Sequence, residues 1–451
     1  MIEVNKHRKD YLNKKANEIV GFIQNMPKIQ PNHNFQLGNK GEKRVLDIQD
    51  QLKDKPQRFR TLTISDKPID CIEEYQLKTY GLNEDSYKKY EKLIDSIYEE
   101  KTIAKYISTK FIDDNAIEWI FGTYRQEINI SFIDYLLPIL DKSIETYKFT
   151  YRILNLDIEA FFEVGNCLFH FFKEEELNSL EGEIRGKDPN KSQFNKYSLL
   201  KKDYLGIPLI STQTMGEFGK AEELAKAECS LSIDTLKLCS ITTIVPDYKI
   251  YFDLDERVKY NSHNTNFTTV PEDKEYFTIT FSGNKGSYDL DPKEWQDLQS
   301  RNLGQFHKFL KDRHRKRNEL TDLIENSITM YAEAITQTDL NNRIVNLFTI
   351  LESLLLKNDD SPIIDSVTKY LPKLIFKKLD ERKEIIEILK RLYKVRSAKI
   401  HHAKKNKFDI IDLRKLQISI VLLLISLISK LTEHETKQSI LEQIDENILK
   451  A

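Results

Sequence analysis

The stretch LYKVRSAKIHHAK, residues Leu392 to Lys404, sets an arginine and two adjacent histidines near the end of what otherwise reads as an amphipathic helix. Working outward from it, Ile385, Leu389, Leu392, Arg396 and Ile400 follow steps of four, three, four and four, which keeps one stripe of the helix turned inward. A guanidinium on that stripe is costly to bury without a partner. His401 stands five residues further on, about 140° round an ideal helix. Arg396 and His401 therefore meet on one ligand only if the helix loosens near its end or if two copies of the chain face each other.

The surrounding sequence predicts further helices. Leu320, Leu323, Ile324, Ile328, Tyr331 and Ile335 recur at three- and four-residue steps, as do Ile344, Leu347, Phe348, Leu351, Leu354 and Leu355. Thr338–Asp339 and Ser361–Pro362 supply helix starts, by capping and by proline's tolerance at the first helical position. Leu379–His401 and Asp409–Leu431 complete four helices with short connections, the pattern of an antiparallel bundle. Within LESLLL (Leu351–Leu356), Glu352 follows Ile344 and Phe348 onto the apolar face and precedes Leu355 there. A carboxylate so placed either protonates or finds a cation, and Arg396 on the neighbouring inward stripe predicts a bidentate Glu352–Arg396 pair.

Upstream the signal is mixed. Gln57–Ser65 alternates like a strand, whereas Ile133–Leu154 and Ile158–Leu177 read as aromatic-rich helices. The turn-rich Glu181–Lys196 marks a boundary, a helix follows near Lys220–Cys239, and Tyr248–Tyr260 and Glu275–Gly283 alternate as strands. The expected fold is α+β overall and mainly α, a mixed α/β N-terminal region before a C-terminal antiparallel helical bundle. The expected segments are 1–190, a central α+β region 191–315, and the bundle 316–451.

With 40% apolar and 31% charged residues, 23 Phe and 21 Tyr, the 451-residue chain has the composition of a folded protein. A formal charge of −2 argues against a protein that coats a polyanion along its whole length. Positive charge is local instead: residues 364–407 hold 14 Lys/Arg against 5 Asp/Glu, a net of +9, and KDRHRKR (Lys311–Arg317) adds a second cluster. Cys71, Cys167, Cys229 and Cys239 lack metal-finger spacing, so reduced thiols in a cytoplasmic protein are expected. The run ISIVLLLISLI (Ile418–Ile428) is shorter than a membrane span, the N-terminus has no apolar signal core, and no membrane association is expected.

RSAKIH fits the R-x4–6-H motif of the HEPN superfamily, and LYKVRSAKIHH together with LFTILESLLL (Leu347–Leu356) resembles its Apea-like branch. The resemblance covers Asn318 to about Leu431. It implies a metal-independent endoribonuclease that acts as a homodimer through the bundle, as a toxin or an antiviral, abortive-infection effector, with no cofactor. On this chain it makes Arg396 and His401 catalytic. His402, Glu352, Ser397, Lys399 and Tyr393 would support them, and Lys394, Lys404, Lys405 and Lys407 would contact RNA. Many Apea-like sequences carry glycine after the histidine where this chain has His402, which also satisfies the spacing, so either imidazole fits. The family's usual context makes the N-terminal region a sensor for a phage or regulatory partner.

The residue types suit that chemistry. Histidine exchanges protons near neutral pH, and arginine offers a fixed fork of donors to phosphate oxygens. The other reading is a non-catalytic module that docks RNA, a nucleotide or a partner protein. Elsewhere, GNKGEKR (Gly38–Arg44) departs from the P-loop pattern and reads as a loop, and His170 among aromatics reads as a core histidine. His307 and His314 lack companions at metal spacing, and no metal site is expected.

Overall fold

Asn83, Ser108 and Ser131 each end an extended stretch and begin a helix, their side chains accepting the N–H of Ser86, Phe111 and Asp134. The helices of this part are α1 (Lys6–Val20), α2 (Glu84–Tyr98), α3 (Lys101–Tyr106), α4 (Thr109–Tyr124) and α5 (Phe132–Ser143). The computed structural model describes residues 2–25, 57–59, 72–75, 78–187, 204–255, 265–273, 276–283, 287–315, 317–358 and 360–450. They are mainly helical, with a smaller share of strand. The loop expected at Gly38–Arg44 and Cys71 lie outside these residues, as does the end of the Gln57–Ser65 strand.

The chain divides into two compact units, Met1–Tyr147 with Thr214–Leu224, and Lys148–Gln213 with Ala225–Ala451. In the first, Leu12, Ile19, Leu93, Ile97, Trp119, Ile120, Phe132 and Leu136 form one apolar core. Short strands β1 (Gln24–Asn25), β2 (Gln57–Phe59), β3 (Ile72–Tyr75) and β4 (Lys78–Gly81) make a sheet in the order β1-β4-β3-β2.

Two helices expected from aromatic content are partly strand. Past Ser143 the chain continues as β5 (Glu145–Leu154), where Tyr147, Phe149 and Tyr151 alternate with Lys148, Thr150 and Arg152. Aromatic and β-branched residues at period two suit a pleated surface. After β6 (Leu156–Ile158), most of the segment 158–177 is the hairpin β7 (Phe162–Val164) and β8 (Cys167–His170), turning at Gly165 with φ of 61°, and only its last residues are helical. A Cβ at Gly165 would come within 2.8 Å of the Leu310 side chain, so glycine answers both the backbone angle and the close approach. The break expected over 181–196 is helical at its start, within α6 (Glu174–Lys187), and from 188 lies outside the described residues.

Strand β9 (Leu209–Gly216), helix α7 (Phe218–Cys239) and β10 (Asp253–Leu254) follow, giving a sheet in the order β10-β5-β9-β8-β7. The alternating 275–283 segment is strand β12 (Tyr276–Gly283), paired antiparallel with β11 (Thr265–Asp273), and β13 (Tyr288–Leu290) runs parallel to β6. Helices α8 (Pro292–Ser300) and α9 (Leu303–Asp312) lead to α10 (Glu319–Ile335), α11 (Leu340–Leu355), α12 (Ile363–Ile375), α13 (Leu379–His402), α14 (Ile410–Lys430) and α15 (Lys437–Leu449). Among the described residues one apolar cluster runs from Ile153 through Phe306 and Ile324 to Leu441 and so spans residue 316. Among the described residues no helix is long and apolar enough to cross a membrane; Leu423, Leu424 and Leu427 of the most apolar run are buried within α14.

Candidate functional site

Helices α11 and α13 carry the site. Tyr393 meets Phe348 edge to face, with ring centroids 5.6 Å apart, while Lys399 of α13 reaches Asp339, the N-cap of α11. Later residues of one helix thus lie against earlier residues of the other, and the two run antiparallel. Helical side chains lean toward their own N-terminus. Arg396 therefore reaches back past Tyr393 and Glu352 reaches back toward Phe348, and the two heads meet: Arg396 Nη2 donates to Glu352 Oε1 at 2.7 Å.

The contact predicted from the two stripes is present, but its form differs from the expected bidentate pair. A single hydrogen bond joins the two side chains, and Arg396 Nε is buried without an acceptor among the described residues. The Arg396 and Glu352 side chains are 12% and 21% exposed, so the pair sits at the edge of the core rather than within it. The guanidinium carbon lies 5.6 Å from the centre of the Tyr393 ring, close enough for a cation–π contact.

The inward stripe ends before the motif does. Ile385, Leu389 and Leu392 are buried as expected, joined by Ile388 and Val395, but Ile400 is 47% exposed. Each four-residue step advances about 40° beyond a full turn, so steps of four from Leu392 to Arg396 to Ile400 rotate the stripe off the core. His401 and His402 are exposed on the last turn, their ring centroids 6.5 Å apart.

That turn has an unusual closure. The Ala398 carbonyl accepts the N–H of both Ala403 and Lys404, five and six residues on, which is wider than α-helical spacing. Ala403 takes the left-handed conformation, φ 51°. The left-handed position thus comes directly after His402, one residue later than the position where the resemblance puts glycine. The widened closure falls at Ala403 and Lys404, after both histidines, and α13 stays helical through His402, so Arg396 and His401 keep the angular offset of an ordinary helix.

The basic residues expected to contact RNA, Lys394, Lys404, Lys405 and Lys407, are all exposed. Lys405 is engaged, its Nζ 2.8 Å from Asp339 Oδ2, with Lys399 Nζ at 3.8 Å from the same oxygen. The Lys405 ammonium holds the Asp339 carboxyl below the usual carboxylate range. Asn406 N–H donates to Asn341 Oδ1 at 3.2 Å, so the loop after the histidines is fastened to the start of α11. Ser397 is half-buried beside Arg396.

The second basic cluster, Lys311–Arg317, is largely compensated. Arg313 is buried and pairs with Glu228 and, through Nε, with Glu325 Oε1 at 2.8 Å; His314 Nε2 lies 3.3 Å from Glu228 Oε2, and Arg317 pairs with Asp322 at 2.7 Å. Sequence neighbours alone did not show Glu228, which comes from α7. His170 is buried with Nε2 2.6 Å from Ser211 Oγ, a satisfied core position. Among the described residues no group of three or more His, Cys, Asp or Glu side chains could hold a metal ion.

No family model matches the chain, and no curated protein or solved structure does either.

Proposed function

We propose that the chain is a HEPN-type, metal-independent endoribonuclease of the Apea-like branch, acting as a toxin or antiviral effector. The observation that carries this reading is that Arg396, held by Glu352, and the exposed His401 and His402 stand within the last two turns of one helix. In the proposed reaction a histidine takes the proton of a ribose 2′-hydroxyl, the 2′-oxygen attacks phosphorus, and the 5′-oxygen leaves with a proton from a second imidazole. Arg396 stabilises the charge that builds on the phosphoryl oxygens. The products are a 2′,3′-cyclic phosphate and a free 5′-hydroxyl.

Two histidines serving as acid and base fit a homodimer with facing motifs. Exposed Ile400, on the turn beside the histidines, and exposed Ile411, at the start of α14, offer apolar surface to a second copy. The N-terminal region, residues 1–190, is proposed to sense a phage or regulatory partner, on the resemblance alone. Expressing the protein in a bacterium and sequencing RNA 5′ ends tests the activity: cuts at defined RNA sites that vanish with Arg396→Ala support it, and an unchanged RNA profile contradicts it.

One observation favours a second reading. Arg396 is only 12% exposed and already bound to a carboxylate, as suits a module that docks RNA, a nucleotide or a protein without cutting. Purified protein that binds RNA at constant affinity with and without Arg396, and releases no fragments, would support this reading.

A further inference from the structure

The register between β10 and β5 pairs Asp253 with Leu154 and Leu254 with Ile153, which places Asp255 across from Arg152. The pair is loose. Arg152 Nε lies 3.5 Å from Asp255 Oδ2, makes no hydrogen bond among the described residues although buried, and Asp255 is itself 46% exposed. Arg152 therefore carries a cation whose cross-strand carboxylate is a distant and partly exposed partner.

Around it is a cavity of about 130 Å³. Thr150, two residues before Arg152 on the same face of β5, lines it, with Lys226 from α7 and Tyr204. The Arg152 guanidinium lies 5.9 Å from the Tyr204 ring centre. Thr150 Oγ1 is held by Ser211 Oγ at 2.7 Å, and Ser211 Oγ by His170 Nε2 at 2.6 Å, so the hydroxyl at the cavity wall is fixed from behind by a buried chain. A liquid water occupies about 30 Å³, so the space suits a compact group of a few heavy atoms and its hydration.

We infer that this cavity binds the phosphoryl group of a small phosphomonoester, or phosphate itself. Three residues with donors of different kinds, the Arg152 fork, the Lys226 ammonium and the Thr150 hydroxyl, line a site of that size. A phosphoryl group has three outer oxygens to meet them, whereas a carboxylate has two. The Tyr204 ring at the wall gives a flat apolar surface for whatever the phosphate is attached to. The site uses none of the residues assigned to RNA cleavage.

Calorimetric titration of the full chain with inorganic phosphate, AMP and acetate tests this. Phosphate and AMP should bind saturably at one site per chain, with acetate at least about tenfold weaker. AMP tighter than phosphate would identify a nucleoside monophosphate stacked on Tyr204; equal affinities would identify the phosphoryl group alone. Arg152→Gln should weaken phosphate about tenfold or more, while Asp255→Asn, which removes the competing carboxylate, should tighten it severalfold. The second variant keeps the test valid even where the first perturbs folding. No saturable phosphate binding, acetate binding as tight as phosphate, or an Asp255→Asn affinity equal to or below wild type overturns the assignment.

Discussion

Arg396 and Glu352 are joined by one hydrogen bond of 2.7 Å, reached because each side chain leans toward the N-terminus of its own antiparallel helix. Glu352 holds the guanidinium by Nη2, and Nε is buried without an acceptor, so in the proposed reaction a phosphate would be met through the remaining Nη donors. Glu352→Gln keeps a hydrogen-bond acceptor at the same place and should reduce cleavage less than Arg396→Ala does. Glu352→Ala leaves a half-buried cation unpaired and should destabilise the second unit by about 1–3 kcal/mol, less than for a fully buried pair because both groups retain some solvent. Urea unfolding of both variants, alongside cleavage rates, checks the two effects separately.

Ala403 ends α13 in a left-handed conformation that a Cβ disfavours. Ala403→Gly should therefore raise stability by about 0.5–1 kcal/mol, the relief of strain outweighing glycine's greater freedom in the unfolded chain. A lower thermal midpoint in Ala403→Gly would show that the helix end is not strained in this way.

Burial alone would raise the pKa of Glu228, but hydrogen bonds from His314 and Arg313 and their charges outweigh it and hold the carboxyl at about 2. An unfolded glutamate titrates near 4.3, so the folded state binds this proton less readily than the unfolded state does. The stability it contributes, on the order of 3 kcal/mol, is present above about pH 4.3 and is lost as pH falls toward about 2. Unfolding measured from neutral pH down to about pH 2 should show this loss in the wild type and a shallower one in Glu228→Gln.

Lys394, Lys404 and Lys407 are exposed; Lys405 is exposed as well but is ion-paired with Asp339. Each exposed lysine that displaces a counterion from single-stranded RNA contributes about 0.7 to the slope of log affinity against log salt. Replacing the three by Gln should lower that slope by about 2, and Lys405→Gln should change it less than any one of them. An equal fall for Lys405→Gln would mean that RNA displaces Asp339 from the ammonium.

Much of the second unit could be read from apolar spacing. Ile324, Ile344, Phe348, Leu389 and Leu392 sit buried where three- and four-residue steps place them, and the Glu352–Arg396 contact followed from two such stripes. The reading failed where the period was short. Phe162–Val164 and Cys167–His170 are too brief to separate a strand from a helix by spacing, and only Gly165 marked the turn between them. Ile400 was misplaced because a stripe continued by fours drifts round a helix. The compensation of Arg313 by Glu228, 85 residues away in sequence, and the widened closure at Ala398 depend on tertiary packing and backbone geometry that no local pattern encodes.

The central claim is that Arg396 and a histidine of the last turn of α13 cut RNA without metal. The direct measurement incubates purified wild type, Arg396→Ala, His401→Ala and His402→Ala with RNA in excess chelator and determines the chemistry of the new ends. The account predicts wild-type cleavage leaving 2′,3′-cyclic phosphate and 5′-hydroxyl ends, loss of about a hundredfold or more in Arg396→Ala and His401→Ala, and a smaller loss in His402→Ala. Cleavage that needs added Mg²⁺ and leaves 5′-phosphates, or that proceeds at the wild-type rate in folded Arg396→Ala and His401→Ala, would contradict it.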